Sequence, residues 1–241
     1  MKVFNTMRGD SGMIINHNLN AMIVYRNIMI NGTLAGKAME RLASGRRINR
    51  AVDDPAGLAI SQKMRAQIRG LEMASRNAQD GISMIQVAEG GVREIQSILQ
   101  RMRELAVQAA NDTNSPEDRK NIQEEINQLT RGIDDIANGT EFNTIKLLNA
   151  NAVNKGEVKL QVGANKGQSF GIQFQNMNSK ALGINGDTDK DGVDVSTSEK
   201  AWAAIKVFDN AIRKTSSLMS SLGASANRLE HSINYLENTN M

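Results

Sequence analysis

The sequence predicts a mainly α fold: an elongated three-helix antiparallel rod of the coiled-coil type, with a small β-hairpin region at one end and an N-terminal helical arm. Three observations support this prediction. The chain of 241 residues contains only two prolines, Pro55 and Pro116. Aromatic residues make up only 3% of it, which disfavours a large globular core. Apolar residues recur at alternating steps of three and four along three long segments, as in coiled coils.

The central helix is predicted between the two prolines. Asp54 is a typical N-cap residue, and Pro55 suits the first helical position. A helix over 56–110 would be roughly 80 Å long, which suits a rod. Glycines at 57, 70, 81, 90 and 91 each cost about 1 kcal/mol relative to alanine, so we expect at least one bend or imperfect turn. The apolar positions at helical spacing are Ala78, Ile82, Ile85, Ala88, Val92, Ile95, Leu99, Met102, Ala106 and Ala109.

Two further helices are predicted to pack against the central one. The second begins at Pro116, after the polar turn 111–114, and ends at Asn138-Gly139. The short turn predicts an antiparallel helical hairpin. The third begins at Ser198 and must return along the first two to bury its apolar positions. These are Ile205, Phe208, Ile212, Thr215, Met219, Leu222, Ala226, Leu229, Ile233 and Leu236.

The segment before the third helix has a different period. Residues 158–162 and 170–174 alternate apolar and polar side chains, which predicts two strands of a hairpin. Residues 176–197 are rich in Gly, Asp, Asn, Ser and Thr and are predicted to form loop. We therefore divide this part of the chain into the N-terminal part of the rod (55–150), a short β/loop region (151–197) and the returning helix (198–241).

The N-terminal part of the chain lacks a packing partner nearby in sequence. Residues 1–12 are predicted to be an unstructured extension, followed by a helical arm and linker over 13–54. The helix is expected from Ile14 to about Arg50, and its apolar periodicity is weak because Asn27, Asn31 and Gly32 interrupt it. Its apolar residues face several directions, so we expect it to be disordered alone or covered by other copies of the chain.

Composition argues against several classes of function. The chain has no cysteine, and therefore neither disulfides nor thiolate metal sites. No apolar run approaches the roughly 20 residues of a membrane span, so no membrane insertion is expected. The net charge is +3 with both signs interspersed. We interpret Arg46, Arg47 and Arg50 as a solvated or subunit-contact cluster, not a nucleic-acid site, because no aromatic stacking platform accompanies them.

Candidate catalytic and metal-binding residues are few. His17 and His231 are the only histidines, and neither falls in a metal-binding or nucleophilic motif. We expect no enzymatic activity and no cofactor. Asp187, Asp189, Asp191 and Gly192 match the first half of a calcium-binding loop, but Ser198 occupies the position of the bidentate glutamate. A polar surface turn is the preferred interpretation of 187–199, with calcium binding as the alternative.

Several long motifs resemble those of bacterial flagellins, and they occur in the family's order. The resemblance covers about residues 13–150 and 198–238. The motifs are MIINHNL at 13–19, LASGRRINR at 42–50, DDPAGLAIS at 53–61, ASRNAQDGI at 74–82, QRMRELAVQAAN at 100–111, EFN at 141–143 and SLGASANRL at 221–229.

The resemblance implies a structural subunit that is exported through the hollow flagellum and polymerises into the extracellular filament used for motility. It implies other flagellin subunits, the flagellar export apparatus, and the hook-junction and cap proteins as partners. It also implies terminal segments that form the inner α-helical tube on assembly. The family's contact with the vertebrate Toll-like flagellin receptor falls on Arg101, Leu105 and Glu125.

Two alternatives accompany this prediction. Flagellins usually begin near the position of Met13 and continue past the position of Met241, so the chain could be a truncated, poorly polymerising flagellin paralogue. A hook–filament junction protein shares similar terminal helices, although the motif at 100–111 favours flagellin. An inserted metalloprotease, known in some flagellins, is disfavoured because 151–197 is short and contains no histidine.

Overall fold

The computed structural model describes residues 18–149, 157–186 and 192–240, which divide into two compact units, one up to Arg65 and one from Ala66 onwards. The described residues are mainly helical, as predicted, and contain two small antiparallel strand pairs where the sequence predicts one hairpin. The elements are α1 (Leu19–Ser44), α2 (Pro55–Ala109), α3 (Pro116–Gly139), β1 (Glu141–Phe142), β2 (Ile145–Lys146), β3 (Glu157–Gln161), β4 (Ser169–Gln173), α4 (Ser179–Leu182) and α5 (Ser198–Asn240).

Helix α1 is shorter at its C-terminal end than the sequence predicts. It ends at Ser44 because Gly45 adopts the left-handed conformation (φ +64°), which terminates a helix. The chain then turns back, and Asn49 Nδ2 donates hydrogen bonds to Glu40 O (3.3 Å) and Ser44 Oγ (2.7 Å). The helix is continuous through Asn27, Asn31 and Gly32, the residues that interrupt its apolar periodicity. The predicted start at Ile14 and the extension 1–12 lie outside the described residues.

The connector from α1 to α2 is organised by Asp53. Its carboxylate accepts hydrogen bonds from the backbone N–H of Arg50 (3.2 Å) and of Asn49 (3.4 Å), and Arg41 lies 3.5 Å away. The hydrogen bond from the Arg50 backbone is the main reason that the pKa of Asp53 lies below its usual value. Asp54 accepts a hydrogen bond from Gly57 N (2.9 Å), confirming its role as the cap of α2.

Helices α2 and α3 form the predicted helical hairpin. Ser115 and Asp118 form a reciprocal capping box at the start of α3. Arg119 donates to Ala109 O through Nε (3.0 Å), which satisfies a carbonyl at the end of α2. Arg101 on α2 pairs with Glu125 on α3, at matching distances from the turn. These contacts fix the two helices side by side and antiparallel.

Helix α5 returns antiparallel to α2 throughout the second unit. Ser198 Oγ donates to Ala110 O (2.9 Å), Arg103 pairs with Asp209 (2.7 Å), and Leu236 packs against Leu71 and Ala74. Its fully buried residues include a series spaced by seven, which confirms the predicted heptad. The series is Ala201, Phe208, Thr215, Leu222, Leu229 and Leu236. The other predicted positions are only partly buried at its edge: Ile205, Ile212, Met219, Ala226 and Ile233.

Beyond the end of α3, the β elements pack against α2 in its place. At the end of α3, Thr140 and Leu148 approach α2 closely at Gly91. The β3–β4 hairpin covers the earlier part of α2, with Leu160 against Gly81 and Asn77 Nδ2 donating to Gln161 O (3.1 Å). The two strands begin and end one residue earlier than predicted. Gly81 and Gly91 therefore admit neighbouring elements, and the helix has no interrupted turn.

Residues 176–197 are not simply loop, because they include α4 and are fastened to two helices. Asp134 on α3 accepts hydrogen bonds from Ser179 N (2.8 Å) and Ser179 Oγ (2.7 Å). Lys214 on α5 donates from Nζ to Ala181 O (2.9 Å) at the other end of α4. Gln123 on α3 accepts from Val195 N (2.7 Å) and donates to Val193 O (3.2 Å). The segment is thus held to the bundle by side chains.

Candidate functional site: exposed surfaces of the helices

The most unusual surface in the described structure belongs to α1. None of its residues is buried, although eleven are large hydrophobic residues that expose 45–87% of their surface. They are Leu19, Met22, Ile23, Val24, Tyr25, Ile28, Met29, Ile30, Leu34, Met39 and Leu42. A contiguous apolar surface of this kind normally marks a site of protein interaction.

The polar residues of α1 lie on two sides of the helix. Asn20, Asn27 and Asn31 form an asparagine stripe, within about 40° of one another at 100° per residue. The charged residues and Thr33 lie on a second side, about 200–300° from Asn20; they are Arg26, Thr33, Lys37, Glu40 and Arg41. The apolar surface is therefore centred on the remaining side, near Ile28 and Met39.

The three predicted receptor-contact residues are neighbours but differ in exposure. Arg101 donates from Nε to Glu125 Oε1 (3.1 Å), and Glu104 lies 3.6 Å from its guanidinium. The hydrogen bond with Glu125 raises the pKa of Arg101. Arg101 and Glu125 are about half exposed, whereas Leu105 is only 2% exposed and belongs to the core. Arg101 and Glu125 therefore form the accessible part of this group, and Leu105 supports the helix beneath it.

Besides the pair of Arg101 and Glu125, α2 forms a second ion pair with another helix, through Arg103. The sequence did not predict this pair. Arg103 Nε donates to Asp209 Oδ1 on α5 (2.7 Å). The two residues are 106 positions apart, and only the relative register of α2 and α5 brings them together. Because Arg101 faces α3 and Arg103 faces α5, the two arginines mark different sides of one helix.

The predicted catalytic and metal-binding candidates do not come together in the described residues. His231 is exposed on α5, whereas His17 and residues 187–191 of the calcium-like loop lie outside the described residues. Within 18–149, 157–186 and 192–240, no group of three acidic or histidine side chains could hold a metal ion. No helix in these ranges is long and apolar enough to span a bilayer.

The arginine cluster of the connector does not form a uniformly basic surface. Arg50 pairs with Glu40 (2.9 Å), while Arg46 and Arg47 are exposed. Because Glu40 and Asp53 compensate part of the positive charge, this region differs from an uninterrupted basic patch.

Comparison with known proteins identifies the family. Residues 15–153 match the model of the bacterial flagellin N-terminal helical region. A flagellin of Halalkalibacterium halodurans is 50% identical over 226 residues, covering 94% of this chain and 80% of that protein. The flagellar filament 33 kDa core protein of Treponema phagedenis is 44% identical, covering 92% and 80%. The crystal structure of Bacillus cereus flagellin superposes with a TM-score of 0.58 at 30% identity, over 67% of this chain and 88% of that one.

The exposed apolar surface of α1 is typical of a protein that functions by association with other chains. The relatives identify the family: the chain belongs to the bacterial flagellins. It is a structural subunit of the flagellar filament and not an enzyme, and the hook-junction alternative is not favoured.

Proposed function

We propose that this chain polymerises with further copies of itself into the extracellular filament of the bacterial flagellum, and that α1 supplies the principal contact. The observation that carries this proposal is the exposure of α1 along its whole length, which has eleven large hydrophobic residues and no buried one. An isolated helix of 26 residues is stabilised mainly by packing of its apolar face.

The free energy available from covering α1 is large. Burying one large aliphatic side chain contributes about 1.5–3 kcal/mol when it starts fully exposed. The residues of α1 already hide part of their surface, so the gain per residue is nearer the lower value. Even a few such residues buried at each interface would offset the entropic cost of fixing a subunit, which is several kcal/mol.

A pair of adjacent aspartate substitutions tests this role. Ile28→Asp places a charge on the apolar surface of α1, whereas Asn27→Asp places the same charge on the asparagine stripe. Both positions are exposed in the single chain, so neither substitution disturbs a packed core. We expect Ile28→Asp to abolish seeded polymerisation and Asn27→Asp to reduce it little, as measured by sedimentation and electron microscopy. Equal polymerisation of Ile28→Asp and the unmodified chain would contradict the proposal.

The remaining partners follow from family membership. We propose that the flagellar export apparatus delivers the chain to the growing filament, where it meets the hook-junction and cap proteins. Detection of the chain in filaments sheared from cells with an intact export apparatus, and its retention in cells that lack it, would support this route.

The receptor contact is proposed for Arg101, Glu125 and the underlying Leu105. Its support is the half-exposed pair of Arg101 and Glu125 on adjoining helices. Arg103→Ala is a matched control, because Arg103 is also paired but faces α5. We expect Arg101→Ala to lower signalling through the Toll-like flagellin receptor and Arg103→Ala to leave it nearly unchanged. Equal signalling by the two variants would argue against this site.

A further inference from the structure

Helices α2 and α5 share a regular pattern of buried residues, which fixes the side of each helix that stays exposed. The buried residues of α2 include a series spaced by seven, like the series of α5 from Ala201 to Leu236. The α2 series is Leu71, Ala78, Ile85, Val92, Leu99 and Ala106. A residue one or four positions after a member of either series lies on one side of the helix, and a residue six positions after it lies on the other.

The contacts of the bundle show what each side faces. Asn77 and Arg228 come six positions after a series member, and both contact the β hairpin. Asn77 donates to β3, and the guanidinium carbon of Arg228 lies 4.6 Å from the centre of the Phe170 ring on β4. Arg103 and Asp209 come four and one positions after a series member, and they pair with each other. The one-and-four sides of α2 and α5 therefore border a groove that faces away from the hairpin, which we call the outer groove.

Two apolar side chains are exposed at one end of the outer groove. Trp202, the only tryptophan of the chain, exposes 64% of its surface, and Val107 exposes 49%. Each comes one position after a member of its series. Along the helices they lie between Arg103 and the hydrogen bond of Ser198 with Ala110, so both helices are held at this level. An exposed tryptophan beside an aliphatic side chain is typical of the centre of a protein interface.

A cleft of about 280 Å³ lies at the opposite end of the outer groove. Leu71 and Leu236 are buried and form its bottom, whereas Glu72, Arg76 and Glu237 are exposed and form its rim. The cleft is slightly smaller than the roughly 300–1,000 Å³ of small-molecule sites, which suits a single aromatic side chain.

The exposed tryptophan and the cleft lie in line along the groove. Glu72 and Val107 occupy equivalent positions of α2, five heptads apart, and so do Glu237 and Trp202 in α5. This spacing corresponds to about 52 Å along the helices. A chain therefore cannot place Trp202 in its own cleft, and a second copy must supply the side chain that fills it.

The chemistry of the cleft matches an indole ring. The two leucines offer an apolar surface, the guanidinium of Arg76 can stack on the ring, and a rim carboxylate can accept a hydrogen bond from the indole N–H. Lys206, one turn along α5 from Trp202, is exposed and carries a charge opposite to those of Glu72 and Glu237. Opposite charges around an apolar contact favour the correct pairing of two surfaces.

We infer that Trp202 of one copy binds in the cleft of the next copy and adds a second contact, between bundles, to the one supplied by α1. This inference rests on the polymerisation proposed above. The tryptophan and the cleft are different surfaces of one molecule, so the contact is heterologous. Such a contact continues from copy to copy and builds an open polymer, whereas a self-complementary contact closes at the dimer.

The single tryptophan reports on this contact directly. Its fluorescence is measured on the full chain before and after the chain extends seeds. We expect polymerisation to shift the emission to shorter wavelength and to reduce quenching by acrylamide. Ser75→Lys places a long side chain at the cleft and should leave Trp202 exposed. It should also raise the critical concentration on the order of 30-fold, as expected for the loss of a tryptophan hot spot. The control Ser97→Lys, at an exposed position in the middle of α2, should behave like the unmodified chain.

Engineered cysteines distinguish a continuing contact from a closed dimer, because the chain has no cysteine of its own. Polymers of Trp202→Cys/Ser75→Cys, treated with a short bifunctional thiol reagent, should give a ladder of covalent oligomers on a denaturing gel. The control Trp202→Cys/Ser97→Cys should not.

Two results would overturn the inference while leaving the proposed function intact. One is a polymer in which Trp202 fluorescence is unchanged, and the other is cross-linking that is absent or stops at the dimer. Failure of the unmodified chain to extend seeds would overturn the proposed function, and this inference with it.

Discussion

The adjacent glycines of α2 provide a sensitive test of how the bundle is packed. Gly90 is exposed, and a Cβ atom built there has no neighbour within 4 Å. At Gly91 a Cβ would lie 2.6 Å from Thr140 Oγ1 and 3.0 Å from Leu148 Cδ1. The same substitution by alanine at two successive positions should therefore have opposite effects on stability.

The magnitudes follow from two opposing contributions. Alanine in place of glycine within a helix stabilises by about 1 kcal/mol. We expect Gly90→Ala to gain this amount in full. At Gly91, overpacking costs about 1–3 kcal/mol. Thr140 cannot easily move aside, because it is β-branched and its hydroxyl donates to Ile136 O (2.7 Å). Gly91→Ala should therefore be neutral or destabilising by up to about 2 kcal/mol.

Urea denaturation followed by far-ultraviolet circular dichroism measures the difference. The two variants should differ by about 1–3 kcal/mol in the free energy of unfolding. The double variant Gly91→Ala/Thr140→Ala isolates the proposed contact and should recover part of the loss at position 91. If Gly91→Ala is as stabilising as Gly90→Ala, Thr140 does not approach α2 as described, and the reasoning fails.

Three further predictions concern the attachments of the bundle. Asp134→Ala removes two hydrogen bonds to α4 and should destabilise by about 2–3 kcal/mol in urea, whereas the exposed neighbour Asp135→Ala should have little effect. Ser115→Ala breaks the capping box of α3 and should lower stability by about 0.5–2 kcal/mol; an unchanged denaturation midpoint would contradict this. Hydrogen bonding from Lys200 lowers the pKa of Asp194 to about 2, below its ordinary value of 3.8. The stabilisation by Asp194 is therefore present above about pH 4 and lost as the pH falls towards 2. Asp194→Asn should reduce the loss of stability in this range, as measured by thermal unfolding at successive pH values.

Periodicity predicted the helices of the bundle well, because spacing alone determines which side of a long helix can be buried. Five predicted positions of α5 spaced by seven, from Phe208 to Leu236, are buried as expected. The end of α1 was predicted less well, since apolar periodicity continues past Ser44. The decisive feature is Gly45, whose positive φ turns the chain back onto α1.

The attachments between distant segments could not be predicted from local patterns. Asp134 and Ser179 are 45 residues apart. Aspartate and serine are common on protein surfaces, so neither residue stands out in the sequence.

The β1–β2 hairpin was not predicted, for a reason that is local in the sequence. Its turn places Asn143 and Thr144 at positive φ, and threonine rarely adopts this conformation. Asn-Gly would have been a recognisable signal for such a turn. The sequence could predict that α1 is exposed in the single chain, because its apolar residues have no packing partner nearby in sequence.

The bridge between Asn185 and Gly192 has a consequence for engineering the chain. Gly192 N donates to Asn127 Oδ1 (3.0 Å), and Gln123 holds Val193 and Val195, so one end of this segment is fixed on α3. Asp134 fixes Ser179 on the other side. With both ends held, the free-energy cost of lengthening the chain between them grows only with the logarithm of loop length. A foreign peptide inserted between residues 186 and 192 would therefore be displayed many times along a polymer.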